Sequence, residues 1–144
     1  MSIITEILPE HIKQSEGFET KLYKCPADKW TIGYGFNLED VGIPQAVADF
    51  WLAYNLSQID REFTRTFQHR PFMKTISHAR KAVLIDMIYN MGIGSFMGFR
   101  KFLTALDEQD YEKAAEEMLD SKWATQVKGR AVRLSEIIMT GTWG

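Results

Sequence analysis

Between Gln45 and Phe67 the sequence runs without a single glycine or proline. Val47, Phe50, Leu52, Tyr54, Leu56, Ile59 and Phe63 fall within it at roughly helical intervals, so the segment reads as one long helix. It separates two unlike halves. Upstream, Lys21 to Asn37 holds Tyr23, Trp30, Thr31, Ile32, Tyr34 and Phe36, punctuated by Pro26-Ala27-Asp28, Gly33 and Gly35. That is strand and tight-turn chemistry and predicts a short β-hairpin. Leu8, Ile12 and Ser15 share one helical stripe ahead of it, with Pro9 tolerated in a first turn and Gly17 near the end. A short helix is expected there, with Glu16 at its C-terminal end. Downstream of Pro71 and from Ser77 onward the pattern is helical, with breaks at Gly92-Ile93-Gly94, Gly98, Gly129 and Gly141. The expected architecture is α+β. It has an N-terminal lobe over about residues 1–44, a connecting helix over about 45–68 and an all-helical C-terminal lobe over about 71–144. A ligand cleft is expected between the lobes.

Composition narrows the function classes. One domain's worth of chain, 144 residues, carries 17 basic and 19 acidic side chains for a net charge of −2. This gives no general electrostatic case for nucleic acid, which leaves a domain-wide basic signature. Cys25 is the only cysteine, so an intramolecular disulfide and a cysteine-only zinc site are excluded, and folding does not depend on an oxidising compartment. His11, His69 and His78 are widely separated without ligand spacing, so neither a metal nor another cofactor is expected. Met87, Met91 and Met97 fall on helical patterns and read as core packing. The first residues lack an early Lys or Arg and are broken by Glu6 and Pro9, unlike a secretory signal. No segment approaches the ~18 uninterrupted apolar residues of a membrane span. The expectation is a protein kept in the cytoplasm, or released from it by another protein.

Functional residue types concentrate in Glu16-Gly17, Tyr23-Lys24-Cys25 and Thr31-Ile32-Gly33-Tyr34-Gly35. Cys25 stands nine residues after Glu16 and Thr31 six after Cys25. In these pieces the chain resembles the phage-type lysozymes of glycoside hydrolase family 24. The likeness resumes at Arg80 to Gly92, Gly98-Phe99, Ala114-Ala115, Ser121-Lys122-Trp123, Gly129 to Arg133 and Thr140 to Trp143. It implies a lysozyme-like fold. It also implies an endolysin that hydrolyses the β-1,4 bond between N-acetylmuramic acid and N-acetylglucosamine in peptidoglycan. Such a protein would act as a monomer, waiting in the host cytoplasm until a holin opens the membrane.

Cutting a glycosidic bond needs a proton donor to the leaving oxygen and a group across the ring that activates water or attacks carbon. Glu16 is the candidate acid, although a Glu taken alone reads as a solvated carboxylate at a helix end. The resemblance places Arg130 beside this acid. Cys25 stands where many family members carry aspartate and others cysteine. As a thiolate it serves as base to a water if the two groups are ~6.5–9.5 Å apart, or as nucleophile nearer ~5 Å, and the resemblance favours inversion. Alone, Cys25 reads as a small buried hydrophobe. Asp28 is the competing carboxylate, and reads equally as a turn former. Thr31 matches the family's third active-site residue, suited to orient water, or is a plain strand former. Asn37 and Tyr89 fall where the family lines its cleft. Phe36 replaces a histidine of the T-even phage member, and Phe102 and Glu117 replace small or amide residues of its sugar-binding set. Two rivals remain open at this point: a Cys-His amidase or peptidase of the cell wall working through Cys25, and a non-catalytic peptidoglycan-binding descendant.

Overall fold

A computed structural model describes residues 2–144. The chain divides into two compact units, a first one ending at Trp51 and a second from Leu52 to Gly144.

The first unit begins with a π-helical turn, Ile3–Ile7, capped by the Ser2 hydroxyl, and continues as α1, Leu8–Glu16. Pro9 sits in the first turn, where its missing N–H costs nothing. Gly17, at φ +71, ends the helix by turning the chain out of it. The hairpin follows as β1, Glu19–Lys24, and β2, Trp30–Gly33. A third strand, β3 at Phe36–Asn37, extends it to an antiparallel sheet of order β1-β2-β3. In register, Thr31 lies opposite Tyr23 on one side and Asn37 on the other. One helical turn, α2 at Leu38–Val41, then precedes α3, Gln45–Phe67, which starts directly after Pro44 and lies wholly within the stretch free of glycine and proline that ends at Pro71. The boundary between the units falls within α3. Among the described residues of the first unit no hydrophobic side chain is fully buried. Its aromatic rings instead pair at the surface, Phe18 with Tyr34 at 5.1 Å and Tyr34 with Phe36 at 6.1 Å between centroids.

The second unit is helical. A 3-10 turn, Pro71–Lys74, leads to α4, His78–Met91, and α5, Ile93–Met97. Then come α6, Arg100–Asp107, α7, Tyr111–Leu119, α8, Lys122–Val127, and α9, Gly129–Thr140. Ser77, Asp110 and Ser121 accept hydrogen bonds from the first-turn amides of α4, α7 and α8, the usual satisfaction of otherwise orphaned donors. The core is aromatic at its centre: Phe67 and Phe96 lie 5.7 Å apart, and Phe96 and Phe102 6.2 Å. Val83, Leu84, Met87, Met118, Leu134 and Ile138 close around these rings. Met87 is thus core as expected and Met91 packs against it, whereas Met97 is half exposed. Two polar ties lock elements together. Asp107 accepts from Arg70 and from the Phe72 amide, and Arg80 donates to the Ile138 and Met139 carbonyls at the end of α9.

Candidate active site

The hairpin turn is the local device that presents Cys25. The Cys25 amide donates to the Lys29 carbonyl at 3.0 Å, and the Asp28 amide donates back to the Cys25 carbonyl at 2.8 Å. This leaves a three-residue loop, Pro26-Ala27-Asp28, with Asp28 at φ +61. Proline at its first position and a residue in the left-handed region at its last suit this turn, and Asp tolerates that conformation better than most residues. Asp28 is therefore held by its backbone as a turn former.

Cys25 is partly exposed, and its thiol pKa lies below the ordinary value. The Lys29 backbone amide contributes most. Desolvation pushes the other way, and the Thr31 hydroxyl and the amides of Ala27 and Cys25 itself add to the lowering. A thiolate is thus favoured by neutral hydrogen-bond donors.

Thr31 is 2% exposed, and its hydroxyl donates to the Lys29 carbonyl at 2.8 Å. A hydroxyl has one proton. While it goes to Lys29, the Thr31 oxygen is an acceptor for a thiol S–H; once Cys25 ionises, the proton turns toward sulfur. Asn37 faces Thr31 across the sheet, but its side chain is engaged in capping α2, accepting from the Asp40 amide at 3.0 Å and donating to the Asp40 carboxylate at 3.1 Å. Glu16, the last residue of α1, is exposed. Its carboxylate lies against Gly35, where φ is +74 and a Cβ would fall 2.6 Å from Oε2.

The remaining sequence candidates lie in the second unit. Tyr89, 47% exposed, and Arg130 both line a concavity of about 550 Å³ together with Leu56, Ile85 and Trp143. Arg130 is ion-paired with Asp86 at 2.6 Å from Nη2. Phe102 is buried in the core, and Glu117 pairs with Lys113 at 3.4 Å. Sequence reasoning missed two partners. Asp86 is a charge set within the otherwise apolar segment Ala82 to Tyr89 of α4, and that interruption is its signal. Gly35 as the seat of Glu16 left no local signal, because the two are nineteen residues apart.

An aligned stretch of 87 residues is 34% identical to the pre-baseplate central spike protein Gp5 of Enterobacteria phage T4, covering 60% of this chain and 15% of that protein. "Probable T4-type lysozyme 1" of Dictyostelium discoideum is 31% identical over 83 residues, 55% of this chain and 49% of the relative. These alignments thus span half or less of either relative's own length. The "Endolysin" of Acyrthosiphon pisum secondary endosymbiont phage 1 is 27% identical over 132 residues, covering 88% of this chain and 84% of that protein. The model of the phage lysozyme family matches residues 13–136, which include every candidate residue from Glu16 to Arg130, and the chain belongs to that family.

Proposed function

We propose that the chain hydrolyses the β-1,4 bond between N-acetylmuramic acid and N-acetylglucosamine in peptidoglycan, with inversion. Glu16 donates its proton to the glycosidic oxygen as the bond to the anomeric carbon breaks. A water attacks that carbon from the opposite face, and the Cys25 thiolate takes the water's proton. The observation that carries this reading is the thiol of Cys25, held toward its ionised form by the Lys29 amide and the Thr31 hydroxyl. Nearly buried and bonded to Lys29, Thr31 serves the sulfur before it serves the water. Tyr89 offers a half-exposed aromatic face for a sugar ring. Asn37 contributes through the one side-chain N–H that it does not give to Asp40, and Arg130, which the resemblance assigns to the acid, is held by Asp86.

The name of the phage relative supports an endolysin; on that reading we infer release through a membrane opened by a holin. Among the described residues no helix is long and apolar enough to cross a membrane by itself.

Reducing ends released from purified peptidoglycan test the chemistry. Glu16→Gln should lose about 10²- to 10⁴-fold in rate, the range of a positioned general acid. Cys25→Ser should be nearly inactive, Cys25→Asp active, and Asp28→Asn close to wild type. Full activity in Cys25→Ser would remove Cys25 from the mechanism. Release of new amino termini without reducing ends would make the protein an amidase or peptidase, and binding without release would make it a wall-binding module.

A further inference from the structure

Gly35 follows Tyr34 in the turn between β2 and β3, at φ +74. Positive φ alone would explain a glycine, since an L side chain there is strained. The surroundings add a second constraint. A Cβ built on Gly35 would lie 2.6 Å from Oε2 and 3.1 Å from Cδ of Glu16, and real Cβ atoms do not approach a carboxylate oxygen that closely. The bare Cα therefore makes the space in which the carboxylate rests. Three other glycines of this unit have positive φ. A Cβ built on Gly33, at φ +69, would lie 2.7 Å from the Phe36 ring, so that glycine makes room for an aromatic side chain and not for a titratable one. Gly17 and Gly42, at φ +71 and +68, have nothing within 4 Å of a built Cβ, and at those two glycine answers to backbone conformation only.

We propose that Gly35 is a positioning residue for the acid: its missing side chain seats the Glu16 carboxylate at the height from which it delivers its proton. This deepens the reading of Glu16 as general acid and rests on it. A side chain at Gly35 meets the mobile end of Glu16 and not backbone, so the carboxylate yields while the sheet persists. Displacing a catalytic group by about 1 Å is enough to cost about 10²-fold in rate.

The test measures kcat, KM and thermal melting on soluble glycan strands for Gly35→Ala, Gly35→Asn, Gly42→Ala and Glu16→Gln. Asn tolerates positive φ better than Ala but still carries a Cβ. Gly35→Asn therefore relieves strain while keeping the displacement, and Gly42→Ala reports strain without displacement. The expected result is a loss of about 10²-fold in kcat for both Gly35 variants. Their KM should stay within about twofold of wild type, with Gly35→Asn melting above Gly35→Ala and Gly42→Ala keeping the wild-type kcat. If Gly35→Asn retains kcat within about threefold while Glu16→Gln is inactive, the positioning role is wrong and the acid stands. A kcat loss in Gly42→Ala equal to that of the Gly35 variants would reduce Gly35 to a strained turn. Activity in Glu16→Gln would overturn the acid assignment, and the role of Gly35 with it.

Discussion

Cys25 acquires a depressed pKa without a cation or a helix end, from donors that the turn itself supplies: the Lys29 amide first, then the Thr31 hydroxyl and the amides of Ala27 and Cys25. Removing one donor should reverse part of the effect. In Thr31→Val the isosteric side chain keeps the strand packing and loses the hydroxyl, so the thiol pKa rises toward its ordinary value. Cys25 is the only cysteine, so thiolate absorbance and the rate of alkylation at neutral pH report on it directly; both should fall, and an unchanged titration would show that Thr31 does not act on sulfur. The sign for stability follows from the same shift. A thiol whose folded pKa is depressed contributes stability that is fully present above the unfolded pKa and lost as pH falls through the folded one. For the pH–rate profile, Cys25→Asp should replace the limb in the thiol range by one near pH ~4, where carboxyls titrate. At this scale Glu16, Cys25 and Thr31 stand out in the sequence as candidates only through the resemblance that their joint spacing carries, since each alone reads as structural. The occupation of Asn37 by α2 and the seat at Gly35 depend on which atoms meet, and no spacing encodes that.

The elements most legible in the sequence were those set by local rules. The start of α3 after Pro44 and its unbroken length follow from the placement of breakers, and the end of α1 from Gly17. The two-residue strand β3 is too short to show an alternation, and its pairing with β2 comes from the sheet rather than from its own residues. The junction of α8 and α9 was misplaced by one residue. Gly129 suggested a break, but Gly129 is the first residue of α9, and the chain turns at Lys128, with φ +47 and ψ −110. A lysine carries no turn propensity, so nothing in the sequence flagged it. That conformation lies outside the small left-handed region open to L residues and costs them about 1–3 kcal/mol. Lys128→Gly should therefore raise stability by about 1 kcal/mol or more in urea unfolding, partly offset by the entropy of an added glycine. A lower midpoint would mean that the lysine makes an interaction worth more than its strain. At the other end of α9, Arg80 donates to the Ile138 and Met139 carbonyls at 2.7 and 3.1 Å while its guanidinium lies 3.4 Å from the Tyr111 ring centroid. Arg80→Met keeps the stem and strands those carbonyls, and should cost about 1.5–3 kcal/mol, the range for hydrogen bonds to a charged group.

On the scale of the whole molecule the two units are stabilised in different ways. The second has a continuous core in which Phe63, Phe72, Phe96 and Phe102 are almost wholly buried. The first relies on backbone pairing, surface aromatic pairs and the ion pairs of Lys24 and Lys29 with Glu39 and Asp40, at 3.3 to 3.7 Å. Exposed ion pairs contribute at most about 1 kcal/mol each, whereas fully burying a Phe side chain contributes about 1.5–3 kcal/mol. Opening of the sheet that carries Cys25 and Thr31 should therefore require less free energy than unfolding of the helical unit. Phe96→Ala separates the two processes. It removes a ring with no exposed surface from between Phe67 and Phe102, a loss of about 3–5 kcal/mol to the helical core. Hydrogen exchange of the intact chain should show that loss in the amides of α4, α6, α7 and α9, while the amides of β1 and β2 exchange at their wild-type rates. Equal loss of protection in both sets would mean that the sheet opens only when the helical core does. The site would then draw its rigidity from that core and not from its own turn.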